Sequence, residues 1–178
     1  RSRQVSQRLT RGVGFLMKKN NIEVVMGAAH LKGNGVVEVA KEDGSTQQMS
    51  ASQIVIATGS TSIAPPAWNV DGEHVVTYLE AILQERLPKS VVIIGAGAIG
   101  VEFATVWSSY GTQVTLVEML PQLLPLEDAE TSAELTKAYK KRGIQVLPGH
   151  KVESVEKGGE GVKVTVSGPD GSQTLEAE

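Results

Sequence analysis

The stretch Val91-Val92-Ile93-Ile94-Gly95-Ala96-Gly97-Ala98-Ile99-Gly100 decides how the rest of this 178-residue chain is read. Four apolar, mostly β-branched residues predict a buried parallel strand, because a strand covered on both faces reads as a continuous apolar run. They pass directly into a G-x-G-x-x-G turn, and residues 101–110 predict a helix. Each glycine has its own physical reason. Gly95 permits the tight turn, Gly97 lets an anion approach backbone that carries no Cβ, and Gly100 lets the helix sit close on the strand. Phosphate oxygens placed there meet unbonded N–H groups and the positive end of the helix dipole. Ala96, Ala98, Ile99 and Val101 complete the candidate segment, and Glu102 follows it on the helix.

A glycine turn alone is weak evidence. Here the next strand supplies a second half. Gly111 closes the helix, and residues 112–117 predict a second apolar strand that ends on Glu118. Glu118 lies near the spacing of about 20 residues past the turn at which a ribose-binding acid is expected. A carboxylate there accepts hydrogen bonds from both hydroxyls of an adenosine ribose and repels a 2′-phosphate. The residues that follow, Met119, Leu120 and Pro121, include no arginine to hold such a phosphate. The expected dinucleotide is NAD rather than NADP.

Composition narrows the classes further. Hydrophobic residues make up 40% and charged residues 21%, with a net charge of −3, ordinary values for a globular domain. No basic run of the kind that grips nucleic acid is present, and no stretch reads as a membrane span or signal peptide. There is no cysteine, hence no disulfide framework, thiolate metal site or cysteine nucleophile. A cytoplasmic location is the default expectation. Lys18-Lys19 and Lys140-Lys141-Arg142 read as the last turns of helices, where cations suit the dipole.

Those two basic runs also open two similar passages. Residues 16–27 and 138–149 each read as a basic helix end, a turn, a short strand (22–26 in the first) and a glycine. After each comes a hairpin. In the first, residues 36–40 and 46–51 flank the turn Glu42-Asp43-Gly44-Ser45. In the second, residues 162–167 and 173–177 flank Pro169-Asp170-Gly171-Ser172, with Val162, Val164 and Val166 on one face. The first passage continues into Gln53-Ile54-Val55-Ile56-Ala57-Thr58-Gly59-Ser60, which reads as a buried strand, whereas the second has no such continuation. The expectation is therefore one and a half copies of one plan, an incomplete part of a longer protein with two dinucleotide-binding domains.

Between the copies, Pro65-Pro66 and Asp71-Gly72 mark irregular chain. Thr77 with Glu80 forms a capping box for a helix over 78–87. Asp128 suits the N-cap of a helix over 129–142, with Gly143 just past its end and Ser132, Leu135, Ala138 and Tyr139 on one face. His30, His74 and His150 read as surface residues.

Residues 54–60, 91–102 and 114–118 together resemble the pyridine nucleotide–disulfide oxidoreductases, most nearly the branch that oxidises dihydrolipoamide. The resemblance spans the whole chain. It implies an α/β, Rossmann-like FAD/NAD(P)-binding fold with a parallel sheet plus a β-meander, incomplete as given. It also implies that residues 1–60 are the C-terminal part of an FAD-binding domain, 61–90 a connection, and 91–178 an NAD-binding domain lacking its last strand. On the FAD side it matches Thr58, Gly59 and Ser60, where the chain leaves that domain, and Ala29 near the adenine. On the NAD side it matches the segment from Gly95 to Glu102, with Val152 beside the adenine. Glu102 has two readings, a carboxylate that suits the helix dipole or a group near the nicotinamide. Ile99 stands where some relatives carry a flavin-covering tyrosine.

The family's activity would make the longer protein a flavoprotein that oxidises a dithiol and passes a hydride through FAD to NAD. A homodimer serving a 2-oxoacid dehydrogenase complex would follow. The FAD glycine motif, the redox cysteines and the C-terminal His–Glu pair have no counterpart in this sequence, so it offers no catalytic residue, and the chain alone is expected to be inactive. Alternatives are a mercuric reductase or transhydrogenase relative, or a non-catalytic NAD-binding module.

Overall fold

The structure is a computed structural model that describes residues 1–159 and 161–178. The chain divides into two compact units, Arg1–Gly59 and Ser60–Glu178.

The first unit opens with helix α1, Ser2–Lys19. Its apolar residues Val5, Leu9, Val13 and Leu16 recur at helical spacing, yet all are exposed. The helix ends with Lys18 and Lys19 in its last turn, as the sequence predicts. Asn21 adopts a φ of +54° past the end. Its N–H bonds Lys18 O at 3.2 Å, and the Ile22 N–H bonds Met17 O at 2.9 Å, a Schellman closure. Strands β1 (Ala28–Gly33), β2 (Val36–Ala40) and β3 (Thr46–Ser50) follow as an antiparallel meander. The Asp43 carboxylate closes the β2–β3 turn by accepting the Ser45 N–H at 2.9 Å and its hydroxyl at 2.6 Å. Val39 on the middle strand is buried.

Two expected strands do not form. Residues 22–26 and 53–57 carry no strand pairing, and Val55 and Ile56 are 87% and 69% exposed. Their composition is strand-like, but a parallel strand exists only through its neighbours' hydrogen bonds, and no described residue pairs with either.

The second unit begins with a short 3-10 turn, Pro66–Trp68, and helix α2, Tyr78–Leu83. The Thr77–Glu80 capping box is present, with the Thr77 N–H donating to Glu80 Oε2 at 2.8 Å. The helix stops four residues short of the expected 87, because Gln84 turns to extended backbone (ψ 139°) and Pro88 disfavours helix before it. There follow β4 (Ser90–Ile94), α3 (Ala98–Ser109), β5 (Gln113–Val117), α4 (Ala129–Lys141) and β6 (Gln145–Leu147). Last comes an antiparallel meander of β7 (Lys151–Gly158), β8 (Gly161–Gly168) and β9 (Gly171–Ala177).

The parallel sheet has the order β4-β5-β6, in register through Ile94↔Val117 and Val117↔Leu147. Side chains alternate across it, so the sheet separates two apolar layers. Val91, Ile93, Val114, Leu116 and Val146 face the helices and pack with Val101, Ala104 and Tyr139. Val92, Ile94, Val117 and Leu147 face the meander and pack with Val155, Val164 and Val166. Val162, Val164 and Val166 of β8, expected on one face, are all buried. Both helices end in Schellman closures with glycine past the end. Thr112 N–H bonds Trp107 O at 3.1 Å after Gly111 (φ +92°), and Ile144 N–H bonds Tyr139 O at 3.0 Å after Gly143 (φ +79°). The end of α1 repeats the geometry of the end of α4, with Asn21 in the place of Gly143.

Four local expectations change. β4 is half-buried rather than buried, because among the described residues only β5 pairs with it. Ala138 is exposed, and the inward face of α4 is Ser132, Leu135, Thr136 and Tyr139, the true i, i+3, i+4, i+7 set. His74 is half-buried beside Asp71, and His150 is half-buried with its imidazole over Gly168. Only His30 is exposed as expected. The two turns holding His74 and His150 fold back onto the meander, which polar loop composition does not reveal.

Candidate functional site

The site is built where β4 runs into α3. Gly95 has a φ of +100°, open to glycine and strained for any other residue. A Cβ at Gly100 would collide with the Gly95 carbonyl oxygen and come within 3.5 Å of Ile93 Cγ2, so only glycine lets α3 begin this close to the strand. Gly97 is the N-cap of α3, and a Cβ there would meet nothing within 4 Å. Gly97, Ala98 and Ile99 are exposed, so the face of the turn is open and no side chain shuts it. The first-turn N–H groups of Ala98, Ile99 and Gly100 have no carbonyl one turn earlier within the helix and project at this open face.

Glu118, at the tip of β5, is 9% exposed. Its Oε2 accepts the Ala96 N–H at 2.7 Å and its Oε1 accepts the Leu120 N–H at 2.9 Å. The acid therefore reaches back across the sheet tip to the glycine turn instead of pointing into bulk water. Each carboxylate oxygen has two lone pairs, so each retains acceptor capacity for a sugar hydroxyl. The Ala96 N–H is spent on this contact, which leaves the first-turn donors of α3 as the set an anion would meet.

The remaining candidates are distributed as follows. Val101 is buried in the core and its N–H bonds Gly97 O at 3.1 Å, so it is the first residue of the segment committed wholly to the helix. Glu102 is exposed on α3. Val152 on β7 is half-buried against the meander-side cluster. In the first unit, Ala29 lies exposed on β1 opposite Val39. Thr58, Gly59 and Ser60 are exposed where the two units divide, Gly59 with a φ of +77°. The structure thus brings together residues 95–100 and Glu118.

Sequence reasoning missed three polar contacts around the site. The Leu124 N–H bonds Ala96 O at 2.8 Å. Tyr139 Oη donates to Val101 O at 2.6 Å and lies 2.8 Å from Thr105 Oγ1, joining α4 to the first half of α3. Asp71 Oδ1 accepts the N–H groups of Glu73, His74 and Val75, each at 2.9 Å, while Lys157 of β7 pairs with Oδ2. Lys157 first, and then those N–H groups, hold the Asp71 carboxyl well below the usual carboxylate range. The Asp71-Gly72 turn was visible in the sequence, but its ion pair was not. A cavity of about 810 Å³ extends from the turn along the outer edge of β4, lined among others by Ile99, Phe103, Ile93, Tyr78 and Val164. Among the described residues no cluster of His, Asp or Glu could hold a metal ion, and no helix is long and apolar enough to cross a membrane.

A parallel strand, a glycine turn, a helix and a buried acid at the tip of the neighbouring strand define an α/β module of the Rossmann class. Residues 2–178 match the family described as pyridine nucleotide-disulphide oxidoreductase, and the chain belongs to that family. It is 42% identical over 176 residues to the dihydrolipoyl dehydrogenase of Zymomonas mobilis, covering 99% of this chain and 38% of that protein. It is 44% identical over 178 residues to the dihydrolipoyl dehydrogenase of Mycobacterium tuberculosis, covering 100% and 38%. Among solved structures it superposes on LpdA from Mycobacterium tuberculosis with a TM-score of 0.87 at 26% identity, covering 98% of this chain and 39% of that one. The chain thus spans about two fifths of the length of these relatives. Members of the family use FAD and a pyridine nucleotide. The resemblance carried by residues 54–60, 91–102 and 114–118 is borne out, as is the Rossmann-like fold with its parallel sheet and meander.

Proposed function

We propose that this chain supplies the NAD site of a flavoprotein of the dihydrolipoyl dehydrogenase type. The observation that carries the reading is the bond from the Ala96 N–H to Glu118, which ties the sugar-binding acid to the anion-binding turn as one rigid unit. The donor set suits the cofactor. The N–H groups of Ala98, Ile99 and Gly100 hold the pyrophosphate at the N-terminus of α3. The free lone pairs of Glu118 accept the adenosine ribose hydroxyls, and its charge turns away a 2′-phosphate. Bound nicotinamide supplies hydride acceptance and donation. The chain's own residues bind and orient it, and the apolar Ile99 side chain, 57% exposed beside the turn, limits water there.

On this reading residues 1–60 belong to an FAD-binding domain, with Ala29, Thr58, Gly59 and Ser60 toward that cofactor. Residues 61–90 connect it to the NAD-binding domain at 91–178, where Val152 flanks the adenine and Glu102 lies on the nucleotide helix. The longer protein would oxidise dihydrolipoamide, as a cytoplasmic homodimer within a 2-oxoacid dehydrogenase complex, and this chain by itself would not turn over dithiols.

Titration of NAD and NADP against the parent chain and Glu118→Ala tests the assignment. NAD affinity should fall by about tenfold or more, NADP affinity much less. Equal loss of both nucleotides, or loss of neither, contradicts the role given to Glu118.

A further inference from the structure

The Ala96 backbone is held on both sides of its Cα. Its N–H donates to Glu118, and its carbonyl accepts the Leu124 N–H at 2.8 Å. Leu124 makes that bond from an unusual conformation, with a φ of +46°. The left-handed region is costly for a leucine and is kept where surrounding contacts over-determine it. Those contacts are present. Leu123 is fully buried, and the Leu124 side chain packs on the helix-side core. Glu118 Oε1 fixes the start of the loop through the Leu120 N–H, and Gly149 N–H bonds Leu120 O at 2.8 Å. The Leu124 carbonyl in turn accepts the Glu127 N–H at 2.8 Å.

We propose that Leu124 is a positioning residue for the dinucleotide: its left-handed backbone holds the Ala96 carbonyl, and so fixes the glycine turn in the orientation that presents the N–H groups of α3. The proposal rests on the NAD reading above and deepens it. The loop over 119–127 then acts as a brace between the acid and the turn, and its backbone conformation, rather than its apolar bulk, sets nucleotide affinity.

This separates backbone from packing. Leu124→Gly deletes the side chain but accepts a φ of +46° without strain. Leu124→Val keeps apolar bulk, but a β-branched residue ahead of Pro125 is driven toward extended backbone, which moves the N–H off the Ala96 carbonyl. Leu126→Ala, at a side chain 96% exposed in the same loop, serves as the control. The parent chain and the three variants are titrated with NAD, with thermal melting measured alongside. The expected result is that Leu124→Val weakens NAD binding by about tenfold, while Leu124→Gly and Leu126→Ala stay within about threefold of the parent. The Gly variant should nonetheless melt at least as low as the Val variant, because it loses more packing. If affinity instead follows melting temperature, with Gly weaker than Val, the brace is a packing element and the proposal is overturned.

Hydrogen exchange on the unaltered chain decides the matter should the Val variant not fold. NAD should slow exchange at Leu124 and across 119–127. Unchanged exchange there, while NAD binds, overturns the proposal and leaves the NAD reading intact. Failure of the parent chain to bind NAD at all overturns both.

Discussion

At the residue scale, small deviations from ordinary preferences mark the site. Gly95 and Gly100 are required by a positive φ and by a close carbonyl, respectively. Gly100→Ala should destabilise the second unit by about 1–3 kcal/mol, the usual cost of forcing an atom into filled space, and should abolish NAD binding. Chemical denaturation and NAD titration of the same variant check this. Retained NAD affinity would mean that the turn does not touch the nucleotide. Asp71 carries a pH prediction. Its folded-state pKa is depressed by Lys157 and by backbone N–H groups. Its contribution is therefore fully present above the ordinary carboxylate range and is lost as pH falls through the depressed folded value. Asp71→Asn should cost about 1 kcal/mol at neutral pH, and the gap to the parent should close as pH drops below about 4. Melting curves of both proteins across that range provide the test, and a gap that does not change with pH would rule out the ion pair as its source.

At the element scale, what the sequence showed and what it hid have physical causes. The course from β4 through α3 to β5 was legible because its signals are local: an apolar run, three glycines at fixed spacing, a second apolar run and an acid. β7 was missed. Its bulge between Val152 and Ser154 shifts the alternation, so Val152 and Val155 do not fall on the same face by simple counting. β1 was missed because all six of its residues are exposed and its composition is mixed. The runs at 22–26 and 53–57 misled for the opposite reason, since their composition is strand-like but strands form in pairs. The Leu124–Ala96 bond left no side-chain signal at all, being backbone to backbone. The link between α3 and α4 gives a prediction at this scale. Tyr139 is 3% exposed, and its hydroxyl bonds Val101 O. Tyr139→Phe should cost about 1–2 kcal/mol of stability by stranding that contact, measurable by denaturant unfolding. A change within experimental error would show that Thr105, whose Oγ1 also donates to Val101 O at 3.0 Å, satisfies the carbonyl unaided.

At the scale of the whole molecule, the two units differ in how much they bury. The second unit holds two apolar layers on opposite faces of one sheet. In the first, α1 buries none of its residues and Val39 is the buried hydrophobic of the meander. Stability follows burial, so hydrogen exchange should be slowest at Leu116 and Val117 and fast through α1, 22–26 and 53–57. Uniform protection across both units would contradict that ordering. The glycine turn, Glu118 and the loop at 119–127 all lie in the better-buried unit, which suits the proposed nucleotide site. The most direct test of that site is a backbone-amide NMR titration of the chain with NAD. The N–H resonances of Ala98, Ile99 and Gly100 should shift together, with Ala96 and Leu120 following through Glu118, and NADP at the same concentration should shift them far less. Shifts confined to other parts of the chain, or an NADP response equal to that of NAD, would contradict the account.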